Sequence, residues 1–206
     1  MGLIKGSLSL SRYLVKGDAP PDFWDFVDRR IRANLFLDIE DSTEEQAVGW
    51  VSAHDYFDTS FAYASYALDP YVVLCLRWDR RRVPAGLLKK YHTLEVRKAL
   101  NAREGRGLSR ADREDLKEKV RLDLLRRTPP ATQVFEVCWD TQRGEVWLGS
   151  AGRAVRDVFE DLFRRTFDLQ PWPRIPYLLA GDLLGAGPLS LRLEAARPLS
   201  LYDGEA

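Results

Sequence analysis

The chain has 206 residues, 45% hydrophobic and 11% aromatic, with 31 Lys and Arg against 31 Asp and Glu; it is long enough for one large domain or two small ones and too apolar for intrinsic disorder. Its longest clear apolar run, Tyr71 to Leu76, falls far short of the ~20 residues a membrane-spanning helix needs. Met1 to Ser11 lacks the apolar stretch of a signal peptide, so a cytoplasmic, non-membrane protein is expected.

Gly2 to Val15 reads as an opening strand, and Pro20-Pro21-Asp22 starts a helix with Phe23, Val27 and Ile31 at helical spacing and Asp18 as a cap. Leu35 to Ile39 alternates as a strand, Ser42 with Glu45 has the form of a capping box for a short helix, and Ala47 to Val51 is extended again. Tyr71 to Trp78 is continuously apolar and rich in β-branched and aromatic residues, which predicts a central strand. Pro84 opens a helix that runs to about Arg103 and stops at Gly105; Ser109 caps the next. That second helix carries Leu116, Val120 and Leu124 on one face and Arg110, Arg113, Lys117 and Arg121 along another, expected to lie opposite, and ends at Pro129-Pro130.

Gln133 to Asp140 and Glu145 to Gly149 predict a hairpin around Thr141-Gln142-Arg143-Gly144. From Ser150 a third long helix aligns Val155, Val158, Phe159, Leu162, Phe163 and Phe167 in a wide apolar stripe suited to covering a sheet. Beyond Pro171 a short helix is expected over Tyr177 to Leu184 and a late strand over Leu189, Leu191 and Leu193. Cys75 and Cys138 lie in strand-like runs and are expected to be reduced core residues, with no metal. The fold class is α+β: mixed or antiparallel sheets packed with three long helices, in a single compact or bilobed chain with regions 1–70, 71–170 and 171–206.

The neutral total conceals strong segregation. Arg77 to Arg127 holds 17 Lys and Arg against 8 Asp and Glu, a net +9, and the remainder holds 14 against 23, a net −9. A basic element on an acidic body is the electrostatic pattern of a polyanion binder, with nucleic acid the commonest partner. The bases offered to phosphates are Arg80, Arg81, Arg82, Lys89, Lys90 and Arg97, followed by Arg110, Arg113, Lys117 and Arg121. Asp38, Glu40, Asp41, Glu44 and Glu45 form an acidic patch that DNA is expected to avoid, and in a two-fold dimer the acidic N-terminal third is expected to face outward.

From Tyr71 to about Leu169 the ordered motifs are the strand ending Leu76-Arg77, Arg82-Val83-Pro84, Lys89-Lys90, Gly105-Arg106 with Leu108-Ser109-Arg110, Lys117-Glu118 with Val120, Leu124-Leu125, Trp139 and Leu148-Gly149-Ser150. In that order they resemble the RdgC recombination-associated proteins, as a short, C-terminally truncated or divergent member. The resemblance implies a nucleoid-associated protein that binds double-stranded DNA with little sequence preference. It also implies a ring-shaped homodimer with DNA through its basic hole, and restraint of RecA-type recombinases.

Other readings compete with DNA binding. The basic helix face could be a solvated, salt-bridged surface, with Asp115 to Lys119 and Glu114 to Lys117 at pairing distance. Trp24, Trp50, Tyr56, Phe57, Phe61, Tyr63 and Tyr66 could stack on single strands, but no Lys or Arg occurs between Ala33 and Leu76, so core packing or a dimer surface over Tyr56 to Tyr66 is the better expectation. A metal-dependent nuclease would rest on His54-Asp55 with Asp58 and Glu45, a thin set in a chain with two histidines and no phosphate-cradling glycine loop. A non-catalytic interaction subunit could instead self-assemble through its opposite charges. No cofactor is expected.

Overall fold

The computed structural model describes residues 9–16, 20–102, 107–185 and 187–197. Its axis is β4 (Tyr71–Arg80), ten residues whose near-continuous burial matches a central strand. Around it stand β1 (Ser11–Lys16), β2 (Gln46–Val51), β3 (Ala67–Leu68), β5 (Ala131–Asp140), β6 (Glu145–Leu148) and β7 (Gln170–Pro173). They form one seven-stranded sheet in the order β2-β4-β5-β6-β1-β7, with β3 also on β4, and every pairing is antiparallel. The α+β class is as expected, and the sheet is wholly antiparallel.

Alternation divides the sheet into two faces. One face presents Tyr13, Trp50, Val72, Leu74, Leu76, Val137, Trp139, Val146 and Leu148 to α1 (Phe23–Ala33) and α4 (Arg153–Phe167). The stripe of α4 supplies Phe159, Leu162, Phe163 and Phe167, all essentially buried. Trp139 meets Phe163 and Phe167 at ring-centroid distances of 5.4 and 5.2 Å. The Trp50 indole N–H donates to Thr166 Oγ1 at 2.8 Å, satisfying both groups inside the core.

The other face is covered at β2 and β4 by the segment after α1, where Phe36 packs with Val51 and Cys75. This segment was expected to be a strand over Leu35 to Ile39. It forms one parallel bridge, Leu35 to Trp50, because it crosses β2 where Gly49 has no side chain: a Cβ there would stand 2.4 Å from the Phe36 backbone. The short helix expected from Ser42 and Glu45 is absent. Ser42 Oγ accepts from the Glu44 amide at 3.1 Å and donates to the Ile39 carbonyl at 3.0 Å, closing a turn, while Gln46 is drawn into β2 opposite Arg80.

The remaining helices are α2 (Ala85–Ala102), α3 (Arg110–Arg127), α5 (Pro176–Leu184) and α6 (Pro188–Glu194). The β5-β6 hairpin turns at Thr141 to Gly144, with Gly144 at φ +63°. The late strand expected over Leu189 to Leu193 is instead α6, in which Pro188 occupies the first turn and Leu189 and Leu193 lie four residues apart on one side. Residues 2–8 of the predicted opening strand, the Asp18 cap and the Gly105 stop lie outside the described residues. Cys75 is buried and Cys138 half-buried, both free thiols.

Candidate nucleic-acid interface

Helices α2 and α3 are an insertion between two paired strands: Arg80 at the end of β4 faces Ala131 at the start of β5. Two short connections, 81–84 and 128–130, tie the pair to one end of the sheet. Pro84 and Pro129-Pro130 limit backbone freedom in both. Ser109 makes the expected cap and Asp112 completes a capping box, each side chain accepting from the other's backbone amide at 3.1 Å. Val120, Leu124 and Leu125 are buried near the sheet, Leu116 is half-buried further out, and α2 buries no residue fully. The two helices pack chiefly on each other; the His92 ring Nε2 lies 3.1 Å from the Arg113 carbonyl.

The bases of α3 are not opposite its apolar stripe. At about 100° per residue, Arg113 and Lys117 fall on the same side as Val120 and Leu124, one to three turns nearer the tip, where both are exposed. They form a flank of the hairpin, continued by Arg110 and Arg121. Arg110 pairs with Glu114 at 3.0 Å, and Arg121 with Glu118 at 3.0 Å and with Glu45. The pairs Asp115–Lys119 and Glu114–Lys117 do not form among the described residues. Arg82, Lys89, Arg97, Arg113 and Lys117 are exposed and have no ion-pair partner among the described residues, and Lys90 lies 5.8 Å from the Tyr91 ring. These six cations are available to an external anion.

The three consecutive arginines have three different environments. Arg80 is exposed, lies over the Trp78 ring at 4.0 Å and donates to Gln133 Oε1 at 2.7 Å. Arg81 is 4% exposed, and its guanidinium donates to the carbonyls of Ser42, Ile39 and Glu40 at 2.6, 2.9 and 3.0 Å. Arg82 is exposed again. A cleft of about 680 Å³ lies among them, bounded also by Glu45, Gln46 and Ala131.

Arg77, counted in the basic excess, is also internal. It donates to both carboxylate oxygens of the fully buried Asp79 at 3.0 and 2.7 Å, lies 3.7 Å from Asp38 Oδ2, and stands 4.1 Å from the Phe36 ring. The bond to Asp79 raises its pKa further and fixes the positive charge. Arg77 and Arg81 thus staple the acidic segment 38–45 to the end of β4. One member of the acidic patch, Glu45, touches Arg121 at the foot of the hairpin.

The thin metal set does not assemble among the described residues. Asp55 Oδ1 accepts from the Phe57 amide at 2.9 Å, and Asp58 Oδ1 accepts from the Ser60 amide and hydroxyl at 2.7 and 2.6 Å, so both carboxylates close their own turns. Of the early aromatics, Trp50, Phe61 and Tyr66 are core; Tyr56, Phe57 and Tyr63 are exposed, and Trp24 lies at the rim. No helix among the described residues is long and apolar enough to cross a membrane.

A long helical pair set into an antiparallel sheet, carrying bases with no ion-pair partner among the described residues, defines the class of architecture. A family model described as "Putative exonuclease, RdgC" matches residues 25–176, and the chain belongs to the RdgC family. It is similar to the recombination-associated protein RdgC of Burkholderia ambifaria (strain MC40-6), with 29% identity over 168 residues, 80% of this chain and 48% of that protein. The same figures hold for the protein of that name from Burkholderia orbicola (strain MC0-3). The one from Ralstonia nicotianae is 28% identical over 133 residues, 63% of this chain and 40% of its own length. The chain spans about half the length of the curated relatives it matches.

Proposed function

We propose that this chain is a non-catalytic protein of recombination that binds duplex DNA through its backbone, with the α2–α3 hairpin as the contact element. The observation that carries the reading is the set of exposed bases without an ion-pair partner among the described residues: Lys89, Lys90, Arg97, Arg113 and Lys117 on the hairpin and Arg82 in the connection that leads into it. Each phosphate they neutralise releases counterions, which gives affinity that tolerates any sequence and falls with salt. Arg80, Arg110 and Arg121 join them by exchanging a side-chain partner for a phosphate, and Arg81 contributes by position. A two-fold homodimer would present the flank twice, to both backbones of a duplex, as a channel or an open clamp. Occupancy of duplex in this way would restrain a RecA-type recombinase.

Gel-shift titration with duplex and single-stranded DNA, without metal and at two salt concentrations, tests the reading. Micromolar, sequence-independent duplex binding is expected at low salt, and its absence would refute it. The family description names an exonuclease, whereas Asp55 and Asp58 are consumed in turns within a base-free segment. Linear duplex incubated with Mg²⁺ or Mn²⁺ is therefore expected to stay intact; degradation abolished by Asp55→Ala would overturn the non-catalytic assignment. Light scattering over a dilution series tests the dimer, and a strict monomer both free and on DNA would leave one-sided binding.

A further inference from the structure

We propose that Glu45 is a built-in competitor at the foot of the hairpin: its carboxylate holds the Arg121 guanidinium, and a backbone phosphate of duplex DNA entering the neighbouring cleft displaces it. The inference rests on the DNA-binding reading above and adds a regulating group to it.

The position of Glu45 is built into the fold. Its carbonyl accepts the Arg81 backbone amide at 2.7 Å, the next residue is fixed in register opposite Arg80, and the segment before it hangs from the buried Arg81 guanidinium at three carbonyls. The backbone is therefore fixed while the side chain stays 51% exposed, facing an Arg121 side chain that is 39% exposed. The carboxylate can turn away without disturbing the sheet. Beside it the cleft is lined by all three arginines, 80 to 82. Arg81 has a buried Nε with no hydrogen-bond partner among the described residues, a donor left over after the three carbonyls are served.

The charges define what the cleft takes. Arg82 in the lining, and Arg121 outside it but in contact with Glu45, are guanidinium groups suited to bidentate contact with phosphate oxygens, and Glu45 is the one anionic side chain among the cleft-lining residues. A phosphodiester entering the cleft must meet that negative charge or push it aside. Uncharged or cationic ligands gain nothing from the exchange.

Glu45→Gln keeps the shape and removes the charge. It is expected to tighten duplex binding about fivefold at low salt, the effect of one unit charge at contact distance in water, and to steepen the salt dependence by about 0.9, the increment for one more neutralised phosphate. Glu40→Gln removes a charge from the same segment and is expected to change little; an equal gain would reduce the effect to bulk charge and overturn the proposal. Adding Arg121→Ala to Glu45→Gln is expected to cancel the gain, and a gain that survives would overturn the pairing with Arg121. If wild type binds duplex and Glu45→Gln binds no better, the competitor falls and the DNA reading stands. If neither binds, both fall; binding by Glu45→Gln alone would make the competitor complete.

Discussion

Arg81 and Arg82 are neighbours of the same residue type, and substituting each by alanine should separate fold from function. Arg81 donates three hydrogen bonds to main-chain carbonyls from beneath the surface, whereas Arg82 is exposed and donates none among the described residues. A hydrogen bond to a charged group contributes about 1.5–3 kcal/mol, and an enclosed acceptor left unpaired costs about 1–3 kcal/mol. The full sum is not expected, because Glu40 is exposed and Ser42 half-buried, so water can reach their carbonyls, and only Ile39 is enclosed at 5% exposure. Removing the guanidinium also relieves the cost of burying its charge. Arg81→Ala should therefore destabilise by about 2–4 kcal/mol, a fall in Tm of about 5–15 °C for a chain of this size. Arg82→Ala should leave Tm within about 1 °C and weaken duplex binding, with a salt dependence shallower by about 0.9. Thermal melts and salt-titrated binding on the two variants make the test. Arg81→Ala melting with wild type would refute the staple.

Reversing Arg113 and Lys117 together to glutamate should weaken duplex binding at least tenfold and equally across sequences, because two phosphate contacts become two repulsions, while Tm holds within about 1 °C at these exposed positions; binding assays against two unrelated duplexes check it. Burial, with Glu136 nearby, pushes the Cys75 thiol up to about 12, so the native protein at pH 8 should resist iodoacetamide at that position and react fully in denaturant; mass spectrometry of the labelled peptides reads the difference. Arg32 first, and then the Tyr66 hydroxyl at 2.9 Å, hold the Asp28 carboxyl below its ordinary value. A carboxyl lowered in the folded state adds stability that is complete above the unfolded value near 4 and is lost as pH falls through the folded one. Tyr66→Phe should therefore destabilise the fold at pH 7 by about 1 kcal/mol, a fall in Tm of about 2–4 °C, modest because Asp28 is partly exposed, and the gap to wild type should close below about pH 4.

What the sequence made legible is what periodicity encodes. The stripe of α4, the continuous apolar run of β4, the hairpin at Thr141 to Gly144 and the capped start of α3 depend on neighbours within a few residues, and each stands where its pattern placed it. The misses have tertiary causes. Ser42 and Glu45 have capping-box form, but pairing with β4 takes Gln46 to Val51 as a strand before a helix can extend. Leu35 to Ile39 alternates, yet Gly49 lets it cross β2 instead of lying alongside it. Leu189, Leu191 and Leu193 fit two periods at once, and Pro188 opens a helix ahead of them.

The candidate site was legible as charge and not as wiring. A sum over Arg77 to Arg127 treats every base as a surface charge, although β4 carries Arg77 and Asp79 two residues apart, hence on one face, where they neutralise each other internally. That spacing was a readable sign that Arg77 was already committed. The role of Arg81 was not readable, since its acceptors are carbonyls some forty residues earlier in the chain. Once β2 is known to pair with β4 in antiparallel register, Gln46 opposite Arg80 places Glu45 beside Arg81 and near the last turns of α3. An acidic segment that DNA is expected to avoid is thereby brought, at Glu45, against the basic element. The net charges of the two regions are unchanged by this contact; what changes is which bases a phosphate can reach without first displacing a carboxylate. On that criterion, among the bases expected to meet phosphates, Arg82, Lys89, Lys90, Arg97, Arg113 and Lys117 come first, and Arg121, held by both Glu45 and Glu118, comes after them.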